Sequence, residues 1–207
     1  IVELIAKVRS IDRKFRLQIS ASVFIPKSHT PFQWVAQDTK DRLLSKRDIL
    51  KRGLRHLNVG FSWAAINNSM VEAALSRGDR RLGKVIYNAW LSGCRFDAWS
   101  DHFNYQNWLD AFTACDLDIS FYANRQRDFD ELLPWSHIDT GVTTEFLKKE
   151  YNKLLQREFT EDCRQGNCQA CGLQRWSESC SERIKKLKNS KSMLVADTIV
   201  QQPDDAP

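Results

Sequence analysis

ISASVFIPKSHTPFQW, residues 19–34, reads as a strand that runs straight into a proline-punctuated loop. Ile19, Ala21, Val23 and Ile25 alternate with Ser20, Ser22 and Phe24, and the longer segment from Phe15 to Ile25 is β-branched, aromatic and free of glycine. Pro26 and Pro31 lack the amide hydrogen that a ladder needs and bias the residues before them towards extended geometry. Lys27, Ser28 and His29 are therefore expected on a stiff loop at the strand's carboxyl end. In parallel α/β folds that end carries the chemistry.

Upstream, Val2, Ile5 and Val8 have helical spacing ahead of a charged turn at Asp12 to Lys14. Downstream, Asp38 to Leu57 reads as an amphipathic helix, with Leu43, Leu44, Ile49, Leu50, Leu54 and Leu57 as its apolar stripe and Gly53 weakening it near its end. Asn58 to Ala64 is a second candidate strand, available to pair with the first. Asn67 or Asn68 is expected to cap a helix through Ala74, which Gly78 breaks or bends. Helical spacing resumes from Arg80 to Leu91, with Gly93 as its carboxyl cap. Ser100 is expected to open a helix that carries Phe103, Trp108, Leu109 and Phe112 to Cys115, and Thr143 or Thr144 a last one to Glu158. Beyond Cys180 a short basic helix, an apolar stretch at Met193 to Val200 and a Pro- and Asp-containing end are expected.

Length and charge bound the possibilities. At 207 residues the chain can bury one sizeable core, or a compact domain with appendages. Five of the seven tryptophans fall between Trp63 and Trp135, so the middle of the chain is a core rather than a linker. The net charge of +5 favours anionic partners weakly, and much of it is local, at Arg77, Arg80, Arg81 and Lys84 and again after Cys180. No apolar run approaches the ~20 residues that cross a bilayer, so no membrane partner is expected.

Three constellations could carry chemistry. Cys163, Cys168 and Cys171 are spaced C-x4-C-x2-C, with Gly172 behind them and Cys180 further on. Thiolates on such a tight turn suit zinc or an iron–sulfur cluster alike, and spacing does not choose between them. Incidental free cysteines are the alternative. Arg77, Arg80 and Arg81 surround Asp79; guanidinium forks can grip phosphate, and equally Asp79 can cap the next helix while the arginines pair within the fold. Lys27 suits a carboxylate or phosphate and His29 can move protons near neutral pH, or both can pack and pair at the surface. His137 with Asp139 is too small a set for a metal, and His56 and His102 have no partner pattern.

SVFIPKSHTPFQW resembles the last strand and exit loop of the radical-SAM partial barrel, in the subfamily with a cobalamin-binding domain ahead of it. VEAALSRGDRRLGKVIYNAWLSGCRFDAW (Val71 to Trp99), YANR (Tyr122 to Arg125), ELLPWSHIDTGV (Glu131 to Val142) and EDCRQGNCQACG (Glu161 to Gly172) are similar to its carboxyl-terminal region in the same order. The resemblance spans roughly residues 1–180, and it departs from the subfamily's closing CGxC, because Gln174 stands at the last position. It implies an α+β, mostly helical chain: residues 1–36 the end of a barrel, 37–158 a helical accessory domain, 159–182 a metal or cluster motif, and 183–207 a basic helix with a tail or linker. The barrel would need an upstream part of the same polypeptide, since one helix and one strand cannot close it.

The resemblance also implies a cytoplasmic enzyme with a [4Fe-4S] cluster and S-adenosylmethionine bound upstream, with cobalamin as a further cofactor the subfamily can carry. The cysteines from Cys163 to Cys180 would hold zinc or an auxiliary cluster. The substrate, small molecule or RNA, is left open. The cluster motif C-x3-C-x2-C occurs nowhere in this chain, so the fragment alone is expected to be inactive. The competing reading is a zinc-stabilised basic module that binds RNA or a protein partner without catalysis.

Overall fold

The computed structural model describes residues 1–12, 14, 16–180 and 182. The basic helix and apolar stretch expected after Cys180 lie outside them. In chain order the elements are α1 (Val2–Ile11), β1 (Gln18–Ala21), α2 (Lys40–Leu54), β2 (Gly60–Trp63), α3 (Ile66–Arg77), α4 (Leu82–Leu91), α5 (Tyr105–Ala114), α6 (Ile119–Ala123) and α7 (Thr144–Gln156), with a 3-10 turn at Leu173–Arg175. The chain is mixed α+β and mostly helical. It divides into two compact units, one made of residues 1–28 and 32–134, the other of residues 29–31 and those from 135 onward. Contacts therefore thin out at Pro134.

In the larger unit, β1 and β2 pair in parallel, Gln18 opposite Gly60 and Ala21 opposite Trp63. A parallel pair needs a crossover, and α2 supplies it. The strand expected to run from Phe15 to Ile25 enters the ladder only at Gln18–Ala21. Its partner departs at Ala64, whose amide donates to Ala21 O at 3.0 Å before α3 begins. Past that point Val23 is buried and Ile25 packs against the core instead. The described residues form a two-stranded sheet and no barrel.

Packing explains Gly53. An added Cβ there would meet Val2 Cγ2 at 2.7 Å, so the glycine admits α1 against α2. Arg9 fixes the same joint, its Nε donating to Leu57 O at 2.9 Å and its Nη2 to Asn58 O.

The core surrounds α3. Ile66, Ser69, Met70, Val71, Ala73, Ala74 and Arg77 of this helix are all buried, the pattern of an element covered on most sides. Ala73, Ala74 and Ala123 are small enough for α3 and α6 to approach closely, and Val85, Ala89, Trp108 and Phe112 complete the layer. Each large apolar side chain buried here stabilises the fold by roughly 1.5–3 kcal/mol.

Two expected caps are displaced. α3 starts after Ala65 with no side-chain cap, and Asn68 donates to Asp97 O at 3.4 Å instead. α5 starts after Asn104, whose Oδ1 accepts from the amides of Gln106 and Asn107 at 3.0 and 3.3 Å. Ser100 cannot open it, because Trp99 O already accepts from His102 and Phe103 in a turn. α6, capped by Asp118, was not expected; five residues are too few for periodicity to register. Thr143 caps α7 as expected, its Oγ1 accepting from Phe146 N at 3.3 Å.

In the smaller unit α7 is the long element. Lys153 and Glu150 both reach the Thr160 hydroxyl, which holds the chain leaving the helix. Asp139 accepts from Gly141 N at 2.8 Å and pairs with Arg175 at 3.3 Å.

Candidate functional site

Parallel pairing brings the carboxyl ends of β1 and β2 to one edge of the sheet, the edge at which α/β folds place ligands. At the exit of β1, Pro26 is fully buried and anchors the loop. Lys27 Nζ lies 2.6 Å from Glu72 and 3.3 Å from Ser76 Oγ, on the outward side of α3. Both partners are half exposed, so the pair is worth at most about 1 kcal/mol. Lys27 is thus tethered to α3. His29 takes a left-handed conformation, φ 55°, and clusters with the smaller unit, so the two loop residues fall in different units.

At the exit of β2 there is a cavity of about 930 Å³. Lys40 and Arg47 of α2, Trp63 and Asn67, and His102 and Tyr105 are among its lining residues. Lys40 Nζ sits 5.5 Å from the centre of the Tyr105 ring. Because α3 lacks a side-chain cap, its first amides leave partial positive charge on the same side. The cavity therefore combines the cations of Lys40 and Arg47, a helix dipole and aromatic walls, with one carboxylate, Asp101, on its rim. None of these residues stood out in the sequence, since they come from three separate segments.

Beneath the loop lies an arginine node. Arg77 is fully buried, and its guanidinium donates to Ala123 O at 2.6 Å and Arg125 O at 2.8 Å. Arg127 donates to Arg77 O through Nη2 and to Trp34 O through its amide at 2.9 Å. Gln37 N also donates to Ala123 O, and Asn124 Nδ2 donates to the carbonyls of Gln37 and Asp38. Arg125 forks onto Glu131 at 2.6 and 2.7 Å. The segments 26–37, 77–81 and 122–131, separate in sequence, meet here.

The anion contact expected of Arg77, Arg80 and Arg81 is corrected in part. Arg77 is inaccessible and committed to main-chain carbonyls; burial, with Arg127 and Arg125 close by, pushes its guanidinium down to about 10. Arg81 is forked on Asp79, which also caps its amide at 2.9 Å. Arg80 alone of the three is exposed and without such a commitment.

The carboxylates of the node give it a pH dependence. Hydrogen bonding from Arg125 holds Glu131 below the usual carboxylate range, and Arg81 does the same for Asp79. A depressed carboxylate adds stability that is present above the ordinary carboxylate pKa and lost as pH falls through its folded value. Denaturation midpoints are expected to change little from pH 7 to about pH 5 and to fall progressively below that, and Glu131→Gln to lose about 1 kcal/mol at pH 7 while showing a shallower fall. An unchanged slope would remove Glu131 from this role.

The cysteine segment is built differently from expectation. Cys171 O accepts from Thr143 N at 2.8 Å, which ties the C-x2-C turn to the start of α7. Cys163, Cys168, Cys171 and Cys180 are all partly buried thiols. Among the described residues no three His, Cys, Asp or Glu side chains form a group able to hold a metal. His137 is exposed, and Asp139 is engaged by Gly141 and Arg175.

No described helix is long and apolar enough to cross a membrane. No protein-family model, curated protein or solved structure matches the chain.

Proposed function

We propose that this chain is the carboxyl-terminal part of a radical-SAM enzyme, in which residues 1–36, with α1 and β1, end the barrel and the elements after them close its open side and shape the substrate pocket. The observation that carries this reading is the parallel β1–α2–β2 unit, whose two outer strand edges have no ladder partner among the described residues. Parallel strands normally sit within larger sheets covered on both faces, and a pair by itself is marginal. Ile1, Leu4 and Ile11 of the α1 segment are exposed apolar residues of the kind that further barrel elements would cover. The strings from Ser22 to Gly172 that resemble the subfamily supply the chemistry.

In this reading the [4Fe-4S] cluster, S-adenosylmethionine and any cobalamin are held upstream, in the cytoplasm. This chain contributes the cavity with Lys40 and Arg47, and the wall that keeps water from a radical.

The test is to read and express the polypeptide that includes the residues before Ile1. A C-x3-C-x2-C motif is expected there, with broad visible absorption after anaerobic purification and formation of 5′-deoxyadenosine from S-adenosylmethionine. A full-length protein without that motif, carrying one zinc per chain, would overturn the proposal in favour of the zinc-stabilised binding module.

A further inference from the structure

α4 buries Leu82, Val85 and Ala89 on one side and turns an apolar, aromatic side outward. Ile86, Tyr87, Trp90 and Leu91 are 49%, 60%, 47% and 60% exposed, and the loop that follows leaves Phe96 and Trp99 72% and 64% exposed. At roughly 150–250 Å² per aromatic side chain, the four rings leave about 400–600 Å² uncovered. That equals the largest patch on an ordinary soluble monomer, which is commonly a functional one.

The rings are arranged with cations. Tyr87 and Trp90 lie 6.1 Å apart with planes inclined by 25°, so their faces form a nearly parallel platform. The Arg95 guanidinium lies 5.1 Å from the Trp90 ring centre, and the His102 ring 6.1 Å from that of Phe96. From Arg80 to Phe96 the sequence contains Arg80, Arg81, Lys84 and Arg95 and no carboxylate, and Asp97 and the exposed Asp101 lie beyond, at the Trp99 end of the patch. Asp79 neutralises Arg81. Arg80, Lys84 and Arg95 are exposed.

Arg80 and Lys84 at the amino-terminal end of α4 oppose its dipole, and the first turn holds no acidic residue, Asp79 before it being paired with Arg81. Exposed rings of this size favour association with something. A ligand with flat bases on an anionic backbone matches both features at once, whereas an apolar protein surface would leave the cations unmatched.

We infer that this face binds single-stranded nucleic acid, its bases stacking on Tyr87, Trp90 and Phe96 and its phosphates meeting Arg80, Lys84 and Arg95. The inference stands apart from the radical-SAM reading, since it uses no residue of the sheet or the cavity's cations.

Anisotropy of a short labelled single-stranded RNA, titrated with the chain at low salt, tests it. Saturable binding is expected. Trp90→Ala should weaken it about 5- to 150-fold, the range for loss of one stacked base. Lys84→Gln should reduce the slope of log K against log salt by about 0.7. Both positions are on the surface, and circular dichroism with thermal melts verifies that the variants are folded. Four outcomes overturn the inference: no change in anisotropy; equal affinity in Trp90→Ala; inorganic polyphosphate competing as well as RNA does; or a concentration-dependent dimer in sedimentation that Trp90→Ala abolishes while RNA does not bind.

Discussion

Arg77→Met is expected to destabilise the larger unit by about 3 kcal/mol, and Arg77→Ala by about 4–5 kcal/mol. The guanidinium is the sole described side chain that joins the end of α3 to both Ala123 O and Arg125 O. Its removal takes the donor from Arg125 O, at about 1–3 kcal/mol, and leaves Ala123 O with the Gln37 amide, while opening a cavity where the side chain was. Methionine recovers part of this, because it fills much of the space and removes a charge that burial, and then Arg127 and Arg125, hold down at about 10. Against a typical domain stability of about 5–15 kcal/mol, the alanine variant should be largely unfolded at moderate temperature. Arg77→Lys separates charge from geometry: one ammonium keeps the charge but cannot reach both carbonyls as a fork does, so it should fall between wild type and Ala. Urea denaturation measures all three. A lysine variant as stable as wild type would mean that charge, and not the two-carbonyl fork, is what Arg77 supplies.

The second large effect is expected at Gly172. Its φ is +113°, and an added Cβ would stand 2.5 Å from Gly141 O, 2.8 Å from Thr143 Cγ2 and 3.1 Å from Thr143 N. Two of those atoms are backbone, so nothing flexible can move aside. Gly172→Ala should therefore cost the smaller unit about 3 kcal/mol or more, from strain at positive φ together with overlap. The Cys171 O to Thr143 N bond is adjacent and would be lost with it. Hydrogen exchange reads the two units separately, and faster exchange along α7 with unchanged protection along α3 is the expected pattern. Uniform loss of protection in both units would show that they unfold as one, and unchanged exchange along α7 would show that the turn can relax.

Much of the architecture was written in local chemistry. The apolar stripe of α2, the caps and glycines that stop α4, and Thr143 before α7 are all short-range signals. Gly53 and Gly172 were visible only as breaks or turns. Their reason, a Val2 side chain in one case and the Gly141–Thr143 backbone in the other, lies in segments far away along the chain. Ser100 is a good cap by residue type, and the turn closed on Trp99 O together with the Asn104 side chain places the start of α5 four residues later.

The site shows the same division. RGDRR and YANR could be picked out as charged or polar strings, but an arginine's partners depend on what the fold delivers to it. Arg77 was delivered two carbonyls, Arg81 an aspartate and Arg95 the face of Trp90. Periodicity marked Trp90 as a core residue together with Val85 and Ala89. Packing then used only the narrower side of α4 and left Trp90 to solvent.

By itself the sequence determined a mostly helical α+β chain, two strands with a helix between them, and the positions of most helix ends. These follow from periodicity and capping, which act over a few residues. Only the tertiary structure decided that the strands pair in parallel, that the arginine node joins three distant segments, and which rings face water. Each of those depends on long-range approach, where a residue's role is set by what arrives beside it and not by its neighbours in the chain.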